Sequence, residues 1–202
     1  MQPFVALTAG AVALNLVNVN TDQIFPARFI KKPRRSGYGA YLFHDLRFSD
    51  DGAEKPDFPL NRPGGRAAQI LISGANFGCG SSREGAVYAL QDYGFRVAIA
   101  PSFGDIFSAN CIQNGFLPVV LSKDIVDRIH AQIAKTPEAT MTINLRAQTV
   151  TTPDGSRHEF GIDPHSKHCL MHGLDDIALT LQREGEISAF ENRYRRKFDW
   201  LY

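Results

Sequence analysis

From residue 67 onward the apolar and polar positions fall into a repeating order. AAQILISG (67–74) is apolar through its centre, as a strand buried on both faces reads. Residues 82–93 place Ala86, Val87, Leu90 and Tyr93 on one helical face, and Gly94 stops the helix. FRVAIAP (95–101) is a second buried strand. Strand, loop, helix and strand at this length predict a βαβ unit with parallel strands. The order then recurs. Ser102, with Asp105 three residues on, is close to a capping box; a helix runs to about Asn114, Gly115 ends it, and FLPVVLS is the next strand. SKDIVDRIHAQIAK predicts an amphipathic helix with Ser122 as N-cap and Ile125, Ile129 and Ile133 on one stripe. Beyond Pro137 the period changes to two. ATMTINL, QTVTT and SRHEFGI predict an antiparallel meander with a turn at Pro153–Gly155, and EISAFENRYRRKF predicts a closing helix.

The first sixty-odd residues lack such a rhythm. AVALNLV alternates as a strand does, but RRSGYGAYLF and SDDGAEKPDFPLNRPGG are punctuated by Gly, Pro and Asp. One or two strands followed by a long loop are expected, and long loops inside a compact domain often bind ligands. No internal repeat stands out. The whole pattern is that of a single α/β domain over residues 1–202.

Charge and cysteine content narrow the function classes. A net charge of +1 favours neither nucleic acid nor an anionic membrane, and KKPRR (31–35) is the one basic cluster. No apolar run is long enough to span a bilayer. The N-terminal segment resembles a signal peptide in hydropathy, but no Lys or Arg precedes Arg28. Cys79, Cys111 and Cys169 are far apart, odd in number and outside any CxxC spacing, which suits a reducing cytoplasm and encodes no metal or cluster ligand set.

The chemistry-bearing stretch is NFGCGSSREGAVYALQDYGF (76–95). It lacks the Lys and spacing of a P-loop, is not GxGxxG, and puts glycine where a nucleophile elbow needs serine. A proton- and carboxylate-handling site fits its residue types better. Ser81 and Ser82 precede a helix start that favours negative charge, and glycines at 78 and 80 let backbone amides approach closely. Arg83 offers a planar fork for a carboxylate. A serine becomes a proton acceptor only where cations and N–H groups stabilise its alkoxide. Spacing alone leaves open the alternative that Ser81 or Ser82 simply caps the helix.

Those residues, with NVNTDQIFPARF near the start, IAPSF.DIF..NC..NG.LPV.L in the middle and GLDDIALTL near the end, resemble the 3-isopropylmalate dehydratase small subunits of the aconitase superfamily. The matching blocks run from about Val17 to Leu181. The resemblance implies a three-layer β/β/α swivelling domain, with a central βαβ unit and a C-terminal antiparallel meander and helix. It implies a hydro-lyase of leucine biosynthesis, inactive alone, that isomerises 2- and 3-isopropylmalate through 2-isopropylmaleate. A large partner subunit, in a heterodimer or heterotetramer, would carry a [4Fe–4S] cluster whose iron acts as Lewis acid on the departing hydroxyl; this chain would bind no metal or cofactor of its own. Carried over by position, Ser81 is the base, Arg83 the carboxylate clamp, and Asp22 orients polar groups beside Thr21. Ser82 and Gly80 belong to the substrate-binding loop. One of Arg28, Arg34 and Arg35 supplies a second carboxylate contact, with Arg34 favoured, and residues 37–43 form the substrate-selecting loop. An isolated chain could self-associate through the face meant for its partner.

One position departs from the family pattern. The relatives usually read Ser-Arg-Glu-His, whereas Gly85 follows Glu84 here. Two other readings remain: a sister hydro-lyase such as a homoaconitase or methylmaleate hydratase, and a non-catalytic anion- or metal-binding module built on HSKHCLMH (165–172). The spacing of His165, His168, Cys169 and His172 fits no standard zinc site. Cys79 reads as a small buried thiol in a tight turn, and Asn110 and Asn114 as polar supports near the cleft or helix-end caps.

Overall fold

The computed structural model describes residues 1–201. Seven strands form one mixed sheet: β1 (Ala6–Leu14), β2 (Ile70–Ser73), β3 (Val97–Ala100), β4 (Leu117–Val120), β5 (Thr140–Asn144), β6 (Thr149–Thr151) and β7 (Arg157–Glu159), in the order β4-β3-β2-β1-β5-β6-β7. Among them run the helices α1 (Thr21–Ile24), α2 (His44–Arg47), α3 (Pro63–Ala67), α4 (Glu84–Tyr93), α5 (Asp105–Gln113), α6 (Lys123–Lys135), α7 (Pro164–His172), α8 (Asp176–Leu181) and α9 (Glu184–Lys197).

Strand β1 joins the two kinds of pairing. Its second half, Ala11–Leu14, runs parallel to β2, and β2, β3 and β4 continue in parallel. Its first half, Ala6–Gly10, pairs antiparallel with β5, and the β5–β6–β7 meander follows. Half of the sheet is therefore an α/β unit and half a meander, both hung on one strand. The expected βαβ pattern and meander are both present.

Alternation along the strands feeds two cores. On one face Val12, Leu14, Leu71, Ala98 and Ala100 pack with Val87 and Leu90 of α4, Phe107 of α5 and the loop residues Phe25, Leu42 and Phe43. On the other, Ile70, Ile72, Val97 and Ile99 pack with Val126, Ile129 and Ile133 of α6 and with Met141, Ile143 and Val150 of the meander. The four-residue strands β2 and β3 are wholly buried, as their unbroken apolar runs require.

The N-terminal loop region holds one strand, not two. Residues 27–61 are built from short 3-10 turns, the single-turn helix α2 and stacked aromatics, with Phe25 on Tyr38 at 4.4 Å and Phe29 on Tyr41 at 4.3 Å between centroids. Two expected caps fall elsewhere. Helix α4 starts at Glu84 with Arg83 as N-cap, because Ser81–Arg83 closes a tight turn in which the Arg83 N–H donates to the Ser81 carbonyl at 2.9 Å. Helix α5 starts after Gly104, and Ser102 instead accepts the Asn76 N–H on its Oγ at 2.9 Å. Among the described residues no helix is long and apolar enough to cross a membrane.

Candidate functional site

Two segments far apart in sequence meet at the head of α4. Asn20 opens α1 with a reciprocal capping box: its side chain accepts the Gln23 N–H at 2.8 Å, and Gln23 Oε1 accepts the Asn20 N–H at 2.9 Å. The Asn20-x-x-Gln23 pattern is legible in the sequence, although the site reading did not use it. Asn20 also bridges Cys79 in parallel, and the Thr21 N–H donates to the Cys79 carbonyl at 2.9 Å. The glycine loop is tied down from both sides. Gly78 N–H donates to Val19 O at 2.7 Å, Phe77 N–H to Ser102 O at 3.1 Å, and Asn76 Nδ2 to Asn18 Oδ1 at 2.9 Å.

The two loop glycines have separate reasons. Gly78 has φ +74° and lies so close to Phe107 that a Cβ would sit 2.2 Å from its ring. Gly80 has φ +96°, a conformation that side-chain-bearing residues adopt only with strain, and it leads the chain into Ser81. Ser81 is thereby set out at the surface, three residues before the first residue of α4.

Thr21, Asp22, Ser81 and Arg83 are brought together. Thr21 is 2 % exposed, and its hydroxyl lies 3.1 Å from the Ser81 carbonyl oxygen and 3.2 Å from Ser81 Oγ. One hydroxyl proton thus faces two oxygens of the same serine. Arg83 Nη1 donates to Asp22 Oδ1, which also accepts the Ala27 N–H at 3.1 Å. The Arg83 hydrogen bond holds the Asp22 carboxyl below its usual range, outweighing desolvation, and the Ala27 N–H adds to the lowering. A guanidinium has five N–H donors, so Arg83 keeps donors for a second anion. No side chain caps α4, and its first-turn N–H groups face the same end. Neither Ser81 nor Ser82 caps the helix; Ser82 lies exposed in the turn beside Ser81 and Gly80.

The three loop arginines are placed differently. Arg28 makes a two-pronged pair with Asp45 and lies over the Phe29 ring. That pair lowers the Asp45 carboxyl to about 2. Arg34 lies against α4, 3.1 Å from Asp92 Oδ1, 3.3 Å from Gln91 Oε1 and 3.9 Å above the Tyr88 ring. Neither contacts Ser81 or Arg83. Arg35 is exposed and makes no ion pair among the described residues.

Arg47 is a structural cation that the sequence reading missed. It is 4 % exposed, donates to Asn61 Oδ1 at 3.1 Å, and reaches the carbonyls of Gly39 at 3.4 Å and Leu42 at 3.3 Å. It thus fastens residues 37–43 from beneath, and burial pulls its pKa down. Beside Arg83, a hollow of about 280 Å³ is lined by Phe25, Ile30, Tyr38, Glu84, Gly85 and Tyr88. A Cβ on Gly85 would stand 3.0 Å from Phe25 Cδ1 and 3.2 Å from Cε1. The ring of Phe25 therefore occupies the space into which a larger residue at 85 would grow.

The remaining polar features do not gather into a site. Asn114 caps the end of α5, where its Nδ2 donates to the Asn110 carbonyl at 2.8 Å. Cys79 is half-buried in the loop, Cys111 is buried in α5 and Cys169 in α7, and all three are free thiols. Burial raises the Cys111 thiol well above its ordinary value. On α7, the His168 and His172 rings meet at 4.3 Å between centroids in a tilted arrangement, while Cys169 faces His165 at 3.7 Å. Among the described residues, no three His, Cys, Asp or Glu side chains converge as metal ligands. The three cysteines therefore do not fit an iron–sulfur cluster within this chain.

Known proteins resemble this chain in sequence and fold. Residues 1–124 match the family model of the aconitase C-terminal domain, and residues 127–164 match a second model, LeuD_N. The 3-isopropylmalate dehydratase small subunit of Paramagnetospirillum magneticum is 49% identical over 201 residues, covering 100% of both chains. The chain belongs to the 3-isopropylmalate dehydratase small-subunit family. That of Chloroflexus aurantiacus is 51% identical over 191 residues, 95% of each chain. Residues 176–202 match the family model for the C-terminal domain of these small subunits. A crystal structure of 3-isopropylmalate dehydratase from Methanocaldococcus jannaschii shares the fold, with a TM-score of 0.67 at 20% identity over 91% of this chain and 98% of that one. The expected aconitase-type α/β fold is thus established.

Proposed function

We propose that this chain is the small subunit of a two-subunit hydro-lyase that interconverts 2- and 3-isopropylmalate through 2-isopropylmaleate, in leucine biosynthesis. The convergence of Thr21, Asp22, Ser81 and Arg83 at the uncapped head of α4 carries this reading. It occurs in a chain that matches small subunits along its whole length.

In this account Ser81 Oγ first loses its hydroxyl proton to solvent, and the resulting alkoxide takes the carbon-bound proton and becomes a hydroxyl again. The electron pair of that C–H bond becomes the double bond as the hydroxyl leaves the adjacent carbon. Rehydration in the opposite sense returns the proton and adds water across the same double bond. A [4Fe–4S] cluster, expected on the large subunit, supplies Lewis-acid polarisation of the hydroxyl when that subunit is bound. The Thr21 hydroxyl turns its proton from the Ser81 carbonyl to Oγ when the alkoxide forms, and so stabilises the base before it takes up the substrate's proton. Arg83, oriented by Asp22, grips one substrate carboxylate with its remaining donors, assisted by the first-turn amides of α4 and the Gly80–Ser82 backbone. For the second carboxylate, Arg28 and Arg34 are already turned onto carboxylates of this chain, Asp45 and Asp92, and their charge is partnered there. Arg35 has no such partner among the described residues, and this favours it over Arg34.

We place the protein in the cytoplasm as a single swivelling domain, in a heterodimer or heterotetramer with the large subunit and with no metal of its own. The test is reconstitution with the large subunit, followed by absorbance of the unsaturated intermediate. Turnover is expected with 2-isopropylmalate. Preference for homocitrate- or methylmalate-type hydroxy acids would assign a sister hydro-lyase. No turnover with any diacid, together with stoichiometric zinc on the isolated chain, would replace the reading with a metal-binding module.

A further inference from the structure

We infer that the C-terminal arm, α8 with α9, is the docking element that holds this chain on its large subunit; the inference rests on the two-subunit reading above. Neither helix buries a side chain. Along α9 and just beyond it, Ile187, Phe190, Tyr194 and Phe198 fall at spacings of three, four and four, which places them on one stripe. Phe190 is 53% exposed, and its ring stacks on Tyr194, which in turn meets Phe198. Trp200 beyond them is 76% exposed. A helix of fourteen residues whose aromatic stripe is only half-covered by its own neighbours is marginal on its own in water and gains stability from whatever covers the rest of that stripe. Beside it, a groove of about 710 Å³ opens among α7, α8 and α9, bounded by His165, Leu179, Arg183 and Ile187.

The family matches point to the occupant. Residues 1–124 match a domain known as the C-terminal part of aconitase, which is carried covalently by the chain before it. Residues 127–164 and 176–202 match instead the LeuD_N model and the model for the C-terminal domain of the separate small subunit. The arm lies within this second part, where the domain stands free of the rest of the enzyme and needs a non-covalent attachment. Its aromatic and arginine composition suits the centre of a protein interface. The last turn of α9 carries Arg195, Arg196 and Lys197, so an acidic patch on the large subunit would complement it.

The chain has one tryptophan, Trp200, so its emission reports on the arm directly. Titration with the large subunit should shift that emission to shorter wavelength in a saturable way, read against a Trp200→Phe control. Phe190→Glu and Ile187→Glu should each weaken assembly at least 100-fold. Far-UV circular dichroism of the free chain and kcat at saturating large subunit should stay unchanged. Assembly within threefold of wild type in both variants would overturn the inference. So would an arm-mediated homodimer that the large subunit fails to displace. Absence of turnover in a wild-type complex that does assemble would count against the proposed reaction alone, leaving the docking result to stand or fall on the titration.

Discussion

Replacing Thr21 by valine isolates the step at which charge develops on Ser81. The substitution keeps shape and removes one hydroxyl at a buried position, 3.1 Å from the Ser81 carbonyl and 3.2 Å from its Oγ. The carbonyl partner belongs to an exposed residue and can turn to water, so the free chain should lose no more than about 1 kcal/mol, the net worth of a neutral hydrogen bond. In the Ser81 alkoxide, and in the transition state that still carries part of its charge, the same hydroxyl donates to a charged oxygen, and such bonds are worth about 1.5–3 kcal/mol relative to the resting hydroxyl. At about 1.36 kcal/mol per tenfold, kcat should fall about 10- to 150-fold. KM should hardly change, because the bond is stronger in the transition state than in the ground state. The assay is steady-state absorbance of 2-isopropylmaleate in the reconstituted enzyme, with urea unfolding of the free chain in parallel. Thr21→Ser should recover most of the loss. An unchanged kcat, or a change confined to KM, would refute the argument that Thr21 acts on the Ser81 oxygen.

Three further outcomes follow from the packing and charge of the site. Gly85→Ala should destabilise the chain by about 1–2 kcal/mol in urea unfolding, because Phe25 is wholly buried and stacked on Tyr38 and cannot retreat from the new Cβ; the same change with Phe25→Leu should recover stability. Asp45→Asn should flatten the acid limb of the stability curve. The carboxyl is lowered from 3.8 to about 2 by Arg28, so its contribution is full above about pH 4 and is lost as pH falls towards 2; the effect is small, since both partners are half-exposed. Arg35→Ala should raise KM at least tenfold with kcat little changed, whereas Arg34→Ala should alter stability more than KM; the reverse pattern in steady-state kinetics would return the second clamp to Arg34.

The parts of the fold that follow a period were legible in the sequence. Strands β2 and β3, the stripe of α6 and the switch to period two after Pro137 each carry a local signal strong enough to survive in the structure. Helix starts were less so, because a serine near a helix has several possible partners. The Ser102 hydroxyl accepts the Asn76 amide, and the Ser81 hydroxyl faces Thr21, so neither caps a helix. The Gly-Ser-Ser-Arg and Asn-Thr-Asp segments were recognisable singly, and their family pattern joined them. What spacing could not supply was the contact of Thr21 with Ser81 or of Arg83 with Asp22, which depends on the Asn20–Cys79 bridge between distant segments. Residues 27–61 were least legible. Aromatic stacks and the buried Arg47 hold them, and the chain loops back on itself without any periodic trace. The loop arginines illustrate the same limit, since their partners Asp45 and Asp92 lie 17 and 58 residues away.

The central claim is that Ser81 is the group that takes the carbon-bound proton, and Ser81→Ala tests it most directly. The variant should assemble with the large subunit as wild type does, since Ser81 is exposed and its carbonyl contact with Thr21 survives the change. In that complex, 2-isopropylmaleate formation and exchange of the substrate's carbon-bound hydrogen with deuterated solvent should both fall at least about 100-fold, the scale of a lost general base. Near-normal turnover and exchange in a fully assembled Ser81→Ala complex would contradict the account.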